Sequence, residues 1–264
     1  MVKPISKCYK EYVLKMAKTT AKQRNYKKPP ITEAVLEVRF NESISEVALE
    51  KLAFKQKSTF TIQKLESAGI RLSSDGKKPE ALDRRLEGYK LIENIDSANI
   101  IQFKPKVFSI SRLAPYQGWD ELIKNFRKYY KLYVNKKNKS ISRIGIRFIN
   151  RIDIPKKNRK LIEEADYLNI YPQVPKKKFP PLFEWSIHTV SKVDDSRLLS
   201  VNSYTYNEEI LIDHVSIILD LDVFQVENLP INEKSLYNEL NKFRDTKNKF
   251  FEMMITPECR RLFK

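Results

Sequence analysis

Two aspartates are the residues whose type and spacing come closest to supporting chemistry. Asp220 and Asp222 alternate along a predicted strand, so their side chains share one face of a sheet. Such a pair could hold a divalent cation if Glu184 or His214 came near, which would suit a metal-dependent nuclease. Because paired acids near a strand end are usually solvated, we predict no metal site and no cofactor.

Other catalytic patterns are weaker. His188 and His214 are the two histidines of the chain, and the two cysteines, Cys8 and Cys259, are too few for a disulfide framework or a CxxC metal site. The five glycines are too dispersed to form a phosphate-cradling loop. A Ser-His-Asp site is defined by geometry rather than by scattered residues, so we predict a protein that is not an enzyme.

Three arginines lie on one face of the segment 141–154. Arg143, Arg147 and Arg151 are spaced four residues apart and alternate with apolar residues, a pattern typical of a strand. Neighbouring members are about 13 Å apart, so the three form a basic stripe about 26 Å long. Such a stripe could follow the phosphate backbone of a nucleic acid.

An alternative gives the same arginines a structural role. If the first strands of two similar halves meet, Glu33 and Glu37 in the segment 31–40 would face the arginines. Cross-strand ion pairs would then neutralise the stripe. We favour this alternative because arginine and carboxylate ladders commonly fill a polar sheet face.

Positive charge is concentrated in a few segments. The chain has 50 Lys and Arg against 33 Asp and Glu, a net charge of +17, which is typical of proteins that bind polyanions. Residues 1–30 hold nine basic residues and one acid, which predicts a disordered basic arm. Two further basic groups are Lys156, Lys157, Arg159 and Lys160, and Lys176, Lys177 and Lys178. A Lys- and Asn-rich composition with a solvated surface would explain the same excess.

The first half of the chain predicts a strand, a helix, a meander and a long helix. Residues 31–40 alternate between apolar and polar and predict a half-buried strand. Ser45 begins a capped helix within 43–60, and a polar loop extends to Leu86. Three short strands follow at 88–94, 99–104 and 107–112. Apolar residues at helical spacing then predict an amphipathic helix over 119–134.

The second half repeats this order. A strand at 141–154 precedes a proline-rich segment with a short helical turn, three strands at 182–193, 197–206 and 210–222, and a helix over 233–254. The repetition predicts an α+β fold, an antiparallel sheet with helices on one face and a tandem β-x-βββ-α duplication. This element order is that of TATA-binding-protein-like and helix-grip folds. We predict one pseudo-symmetric domain over 31–264, with half-repeats of about 31–138 and 139–264.

Four sequence segments resemble those of a known family. They are KPPITEAVLEVRF at 28–40, SRLAPYQGWDELI at 111–123, RIGIRFINRIDIP at 143–155 and FFEMMITPECRRLF at 250–263. In these segments the chain resembles a sporadically distributed, uncharacterised prokaryotic family of about this length. The resemblance implies no enzymatic activity and no catalytic residues.

Two functions from different classes follow. The first is a non-enzymatic protein that binds nucleic acid or another polyanion through its basic surface and arm. The second is a protein-interaction module, an accessory of a mobile or defence-type locus, which the sporadic distribution of the similar family suggests. No apolar run approaches the roughly 20 residues that span a bilayer, and the N-terminus lacks a secretory signal. We therefore expect a cytoplasmic protein with no membrane partner.

Overall fold

The chain folds as an α+β protein that divides into two compact units. The computed structural model describes residues 24, 26–71, 80–81, 85–134, 140–156, 163–175, 179–180, 182–206 and 213–264. One unit, here called the continuous unit, comprises residues 34–144. The other, here called the discontinuous unit, comprises residues 1–33 and 145–264. No helix in the described part of the chain is long and apolar enough to cross a membrane.

Eleven strands and four α-helices lie in the described ranges. The strands are β1 (Ile31–Phe40), β2 (Phe60–Ser67), β3 (Ile70–Arg71), β4 (Glu80–Ala81), β5 (Arg85–Glu93), β6 (Asn99–Phe103), β7 (Val107–Leu113), β8 (Ile141–Pro155), β9 (Ser186–Lys192), β10 (Arg197–Tyr206) and β11 (His214–Gln225). The helices are α1 (Glu46–Phe54), α2 (Trp119–Val134), α3 (Glu233–Met254) and α4 (Pro257–Arg261). A short 3₁₀ turn spans Glu164–Asp166.

The continuous unit contains strands in the order β2-β5-β6-β7-β1. The pairs β2–β5, β5–β6 and β6–β7 are antiparallel. Helix α1 packs against β5, and α2 packs against β7. Aromatic side chains dominate the core between α2 and the sheet, where ring contacts join Phe40, Phe103, Phe108, Phe126, Tyr130 and Tyr133. Burial of these rings stabilises the unit through the hydrophobic effect and through the ring contacts themselves.

The discontinuous unit contains strands in the order β8-β11-β10-β9. The pairs β9–β10 and β10–β11 are antiparallel, and α3 packs against β11. Asn232 begins α3 with a capping box, because its side chain accepts from the Ser235 N–H while the Ser235 hydroxyl accepts from the Asn232 N–H. The apolar sheet face is buried, and it includes Ile146, Phe148, Leu199, Val201, Leu219 and Leu221. The opposite face of the same strands carries polar side chains.

Strong periodicity predicts the elements well. Strand β1, helix α2, strand β10 and helix α3 have the predicted bounds. Seven apolar residues at helical spacing in α2 are buried, namely Trp119, Leu122, Ile123, Phe126, Tyr129, Tyr130 and Tyr133. Strand β11 extends past Asp222 to Gln225, and β9 begins at Ser186.

The predicted elements that differ most from the structure lie where the apolar periodicity is weak. The predicted helix over 43–60 and the loop that follows are replaced by the nine-residue α1 and by strand β2. Within β2 only Phe60 is buried, so this strand at the end of the sheet order carries no clear alternation. Ser45 occupies the N-cap of α1, but its side chain makes no capping hydrogen bond.

Two residues of the predicted arm, Tyr26 and Lys28, contact the C-terminal part of the chain. The Tyr26 hydroxyl donates to Glu252 Oε1 at 2.5 Å, and its ring packs edge-on against Phe251 and Phe263. The Lys28 N–H donates to the Phe263 carbonyl at 3.2 Å. Aromatic burial and these bonds hold the chain from Tyr26 onwards. Residues 1–23 lie outside the described residues.

Candidate functional site

Arg143 forms the ion pair that the structural alternative predicts. Its Nη1 donates to Glu37 Oε1 at 2.8 Å, and the Arg143 side chain is only 15% exposed. Glu37 also accepts from Arg39 Nε at 2.7 Å. Both partners of the Arg143 pair lie in the continuous unit. This arginine therefore presents no uncompensated charge to a phosphate.

Arg147 binds a carboxylate on β11, Asp220. Its Nε lies 2.9 Å from Asp220 Oδ1, and its Nη2 donates to Oδ2 at 2.6 Å. This bond is the main reason that the pKa of Arg147 is raised, and the negative charges of Asp222 and Glu33 act in the same direction. Strand β11 neighbours β8 in this unit and brings Asp220 into contact with Arg147.

Arg151 is also paired, with a residue of its own strand. Its Nε donates to Asp153 Oδ1 at 2.8 Å, and its guanidinium lies over the Tyr206 ring at 5.5 Å. The Ser216 hydroxyl donates to the same Asp153 oxygen at 2.5 Å. Each of the three stripe arginines thus faces a carboxylate. The stripe is a set of ion pairs and offers little net charge for phosphate binding.

The predicted lysine clusters contribute little to the described surface. Lys156 is exposed, and its N–H donates to the Asp213 carbonyl at 2.7 Å. Lys157, Arg159, Lys160, Lys176, Lys177 and Lys178 lie outside the described residues.

Neither proposed companion of the two aspartates joins them. In the β10 registers, Asn202 pairs with Asp220 on one side and with His188 on the other. The histidine near Asp220 is therefore His188, and His214 lies at the far end of β11. Within the described ranges no group of three His, Cys, Asp or Glu residues could hold a metal ion.

These residues form a depression on the polar face of the discontinuous unit, here called the sheet-face depression. Its volume is about 390 Å³, and it is lined by Arg147, His188, Ser200, Asn202, Asp220 and Asp222. The cross-strand registers pair Ser200 with Asp222 and Asn202 with Asp220. Four strands thus contribute side chains that are distant in sequence. Alternation along single strands is the only sequence signal for such a site, and it does not show which strands are neighbours.

A serine and a histidine within the sheet-face depression are in hydrogen-bond contact. His188 Nε2 lies 3.1 Å from Ser200 Oγ, which is the distance between a nucleophile and its base in a hydrolase. In a catalytic triad a carboxylate binds the other histidine nitrogen. Here Asp222 is in register with Ser200, and His188 is in register with Asn202. The order of groups therefore suits hydrogen bonding to a ligand better than acyl transfer.

The exposed face of α2 is the second candidate surface, and it was not singled out from the sequence. Four basic residues, Lys124, Arg127, Lys128 and Lys131, are all exposed, and their spacing places them on one side of the helix. The two acids of α2, Asp120 and Glu121, lie in its first turn. The basic residues occupy the helical positions that the buried apolar residues leave on the outer side. This spacing is the signal that could have revealed the face from the sequence.

Comparisons with known proteins give no assignment. No family model matches the chain, and neither the curated proteins nor the solved structures include a significant match. The functional argument therefore rests on the charges and geometry of the two surfaces described above.

Proposed function

We propose that the protein is a non-enzymatic binding protein that engages nucleic acid through the exposed face of α2. The observation that carries this proposal is the row of four exposed cations on α2, Lys124, Arg127, Lys128 and Lys131. Phosphate neutralisation by Lys and Arg supplies most of the affinity of sequence-independent nucleic-acid binding. This surface is distinct from the arginine stripe, whose members pair with Glu37, Asp220 and Asp153.

The spacing of the α2 cations suits a phosphate backbone. Lys124 and Lys131 are seven residues apart, which is about 10 Å along a helix axis. That length equals the rise of about three base pairs along the axis of a duplex. Lys124 also lies 3.2 Å from Glu121, but the two side chains are 74% and 42% exposed, and a solvent-exposed pair contributes little to stability. The buried aromatic face of α2 holds the row in place.

The other long helix differs in its charge pattern. Helix α3 alternates acids and bases along its outer side, with Glu233, Lys234, Glu239, Lys242, Arg244 and Asp245. Several of these form local pairs, such as Lys242 with Glu239 at 2.6 Å. A mixed face is typical of a solvated helix, whereas the exposed charged residues of α2 beyond its first turn are all basic. The basic arm and the lysine clusters of the sequence would add further charge.

A salt titration with matched variants tests the proposal. Binding of fluorescent single- and double-stranded oligonucleotides would be measured by anisotropy from low to physiological salt. The test variant replaces the four α2 cations with Gln. The control replaces four exposed lysines elsewhere, Lys51, Lys55, Lys57 and Lys242, so that the net charge of both variants changes equally.

A selective loss of oligonucleotide affinity in the α2 variant supports the proposal. Equal losses would mean that only net charge matters, and a nuclease-resistant protein partner in pulldowns would favour an interaction module.

We also propose that the two units arose by tandem duplication, with the TATA-binding-protein-like or helix-grip plan as the nearest analogy. The strand orders support this. In the continuous unit the order is β5-β6-β7-β1, and in the discontinuous unit it is β9-β10-β11-β8. In each, the first strand of the set lies beside the last, and a long helix follows. A superposition that aligned the two sets out of order would contradict the proposal.

A further inference from the structure

Strand β9 has one edge with which no strand of the described sheet pairs. It is last in the order β8-β11-β10-β9, and it is antiparallel to β10 over its whole length, Ser186–Lys192, without a break in register. Six of its seven residues are exposed, and the remaining one, Ile187, is partly buried. The open edge of β9 is therefore accessible along its length.

The main-chain groups on this open edge follow from the bonds on the other side. The Val193 N–H donates to the Arg197 carbonyl at 2.8 Å, and the Thr205 N–H donates to the Trp185 carbonyl at 3.1 Å. In an antiparallel pair every second residue bonds the neighbouring strand, so the odd-numbered residues of this segment bond β10. The residues that direct their N–H and C=O groups to the open edge include Ser186, His188 and Val190.

The sequence of β9 has none of the features that usually protect an edge strand. Proline, charged side chains and β-bulges keep such strands from pairing with other chains. Strand β9 has no proline and no bulge, and its single charged residue, Lys192, is its last. Strand β2, at the other end of the strand order, has a bulge between Leu65 and Glu66 and exposes Lys64. The open edge of β9 thus suits pairing with a further strand.

The charges of β9 suit an identical strand as that partner. When two copies of Ser186–Lys192 pair antiparallel over their full length, the twofold axis passes through Thr189. Residues whose main-chain groups point outwards then face each other, as a hydrogen-bonded ladder requires. Each Lys192 lies opposite a serine, and the two lysines are about 20 Å apart. His188 lies opposite Val190, an apolar residue that is 56% exposed.

We propose that two copies of the protein associate through β9, with the two strands antiparallel about a twofold axis at Thr189. A contact limited to one pair of short strands is smaller than the roughly 1,600 Å² of a standard interface, so the dimer dissociates on dilution. Each copy carries a net charge of +17, and salt screens the repulsion between the copies. The dimer therefore strengthens with salt.

Sedimentation equilibrium of the full-length, nuclease-treated protein tests this proposal. The measurement runs from micromolar to submillimolar protein at low and at high salt. We expect the mass to rise from that of one chain to that of two, and to do so at lower protein concentration in high salt. Oligonucleotide binding depends on salt in the opposite direction. The mass of one chain under all conditions would overturn the proposal. Growth beyond two chains would also overturn it, because a twofold pair uses both edges.

Substitutions at the twofold axis locate the contact. Thr189→Lys brings two like charges directly opposite each other in the dimer, and we expect it to weaken association by about fivefold or more. Ser191→Lys is the matched control, because it adds the same charge on the same face of β9 while the two lysines stay about 14 Å apart. Mixing Thr189→Lys with Thr189→Glu should restore association. Equal weakening by the two lysine variants, or no recovery in the mixture, would contradict the assigned pairing.

A proline variant tests the main-chain bonds themselves. The Val190 N–H points to the open edge, so Val190→Pro removes a bond to the second copy and none to β10, and proline is tolerated at such a position. We expect a monomer at concentrations where the wild type is dimeric, with an unchanged circular dichroism spectrum. A Val190→Pro protein that dimerises like the wild type would contradict the proposal. The α2 variant must still dimerise, so failure of one proposal does not affect the other.

Discussion

Arg147 and Asp220 are joined by two parallel hydrogen bonds, from Nε at 2.9 Å and from Nη2 at 2.6 Å. The two residues are 73 positions apart in the chain. The carboxylate is almost fully buried, while half of the arginine side chain is exposed. A buried carboxylate needs such a partner, because removal of the partner leaves an uncompensated charge.

Loss of Arg147 is expected to destabilise the discontinuous unit. Arg147→Ala should lower the free energy of unfolding by about 2 kcal/mol, less than the ~3–5 kcal/mol for breaking a fully buried pair, because Arg147 is partly solvated. Urea denaturation of Arg147→Ala, Asp220→Asn and the double variant gives the coupling energy. The exposed pair of Arg39 with Glu37 provides the control, and Arg39→Ala should change stability by less than ~0.5 kcal/mol. Additive single effects at Arg147 and Asp220 would contradict a coupled pair.

The α2 face should determine the salt dependence of oligonucleotide binding. Replacing Lys124, Arg127, Lys128 and Lys131 with Gln leaves up to four phosphates without a cation from the protein. The slope of log affinity against log salt should then fall in magnitude by about 0.9 for each duplex phosphate that is no longer neutralised. A slope unchanged from that of the wild type would place the phosphate-binding residues outside α2, whatever the decrease in affinity.

Lys247 should make stability depend on pH. The residue is 7% exposed, and its Nζ lies 4.0 Å from the centre of the Phe148 ring. Burial lowers its pKa to about 7, the charge of Arg244 acts in the same direction, and Glu252 opposes them. Between pH 7 and about 10.5 the unfolded chain keeps this proton and the folded protein loses it. Stability from this group therefore rises with pH across that window, by at most about 1.4 kcal/mol per pH unit.

Lys247→Met isolates this contribution. The variant should be more stable than the wild type at pH 6–7, because it needs no buried charge. The difference between the two proteins should shrink as pH rises towards 9. Urea denaturation of both proteins at pH 6, 7, 8 and 9 measures this difference in the free energy of unfolding. Other titrating groups are the same in both proteins, so their contributions cancel in the difference. A difference independent of pH would show that Lys247 has an ordinary pKa.

Two glycines of the continuous unit should differ in their tolerance of alanine. Gly88 has φ +142, and a Cβ there would lie 2.4 Å from the Phe103 carbonyl oxygen. Gly118 has φ +106, with no atom within 4 Å of its Cβ position. Gly88→Ala should cost about 3 kcal/mol or more, since the backbone of β6 must move. Gly118→Ala should cost only the backbone strain, about 1–2 kcal/mol. Similar melting temperatures for the two variants would contradict this difference.

Cys259 should be unreactive in the folded protein. Its side chain is fully buried, and burial raises the pKa of the thiol to about 12. Because the thiolate is the reactive form, a Cys8→Ser variant should react with a disulfide reagent only as fast as the protein opens. Adding urea should raise the rate in proportion to the unfolded fraction. Rapid reaction of Cys259 without denaturant would contradict this prediction.

The elements with the strongest periodicity could be derived from the amino-acid sequence. The inner face of α2 and the buried positions of β1 follow directly from spacings of 3.6 and 2 residues. These patterns also place Arg143, Arg147 and Arg151 on the same side of β8. That carboxylates would pair with arginines of this stripe was also expected from the sequence. Strand β2 was missed because only one of its eight residues is buried.

The partners across the sheet could not be derived in this way. Alternation assigns a side chain to a face of its own strand, but it contains no information about which strand lies alongside or in which register. Asp220 could therefore be placed on a face of β11, while its bond to Arg147 and its proximity to His188 depend on strand order. The sheet-face depression exists because β8, which a long connection separates from β9, lies beside β11 and completes the set of four strands. Such non-local pairing is set by the packing of the whole unit, which no local pattern encodes.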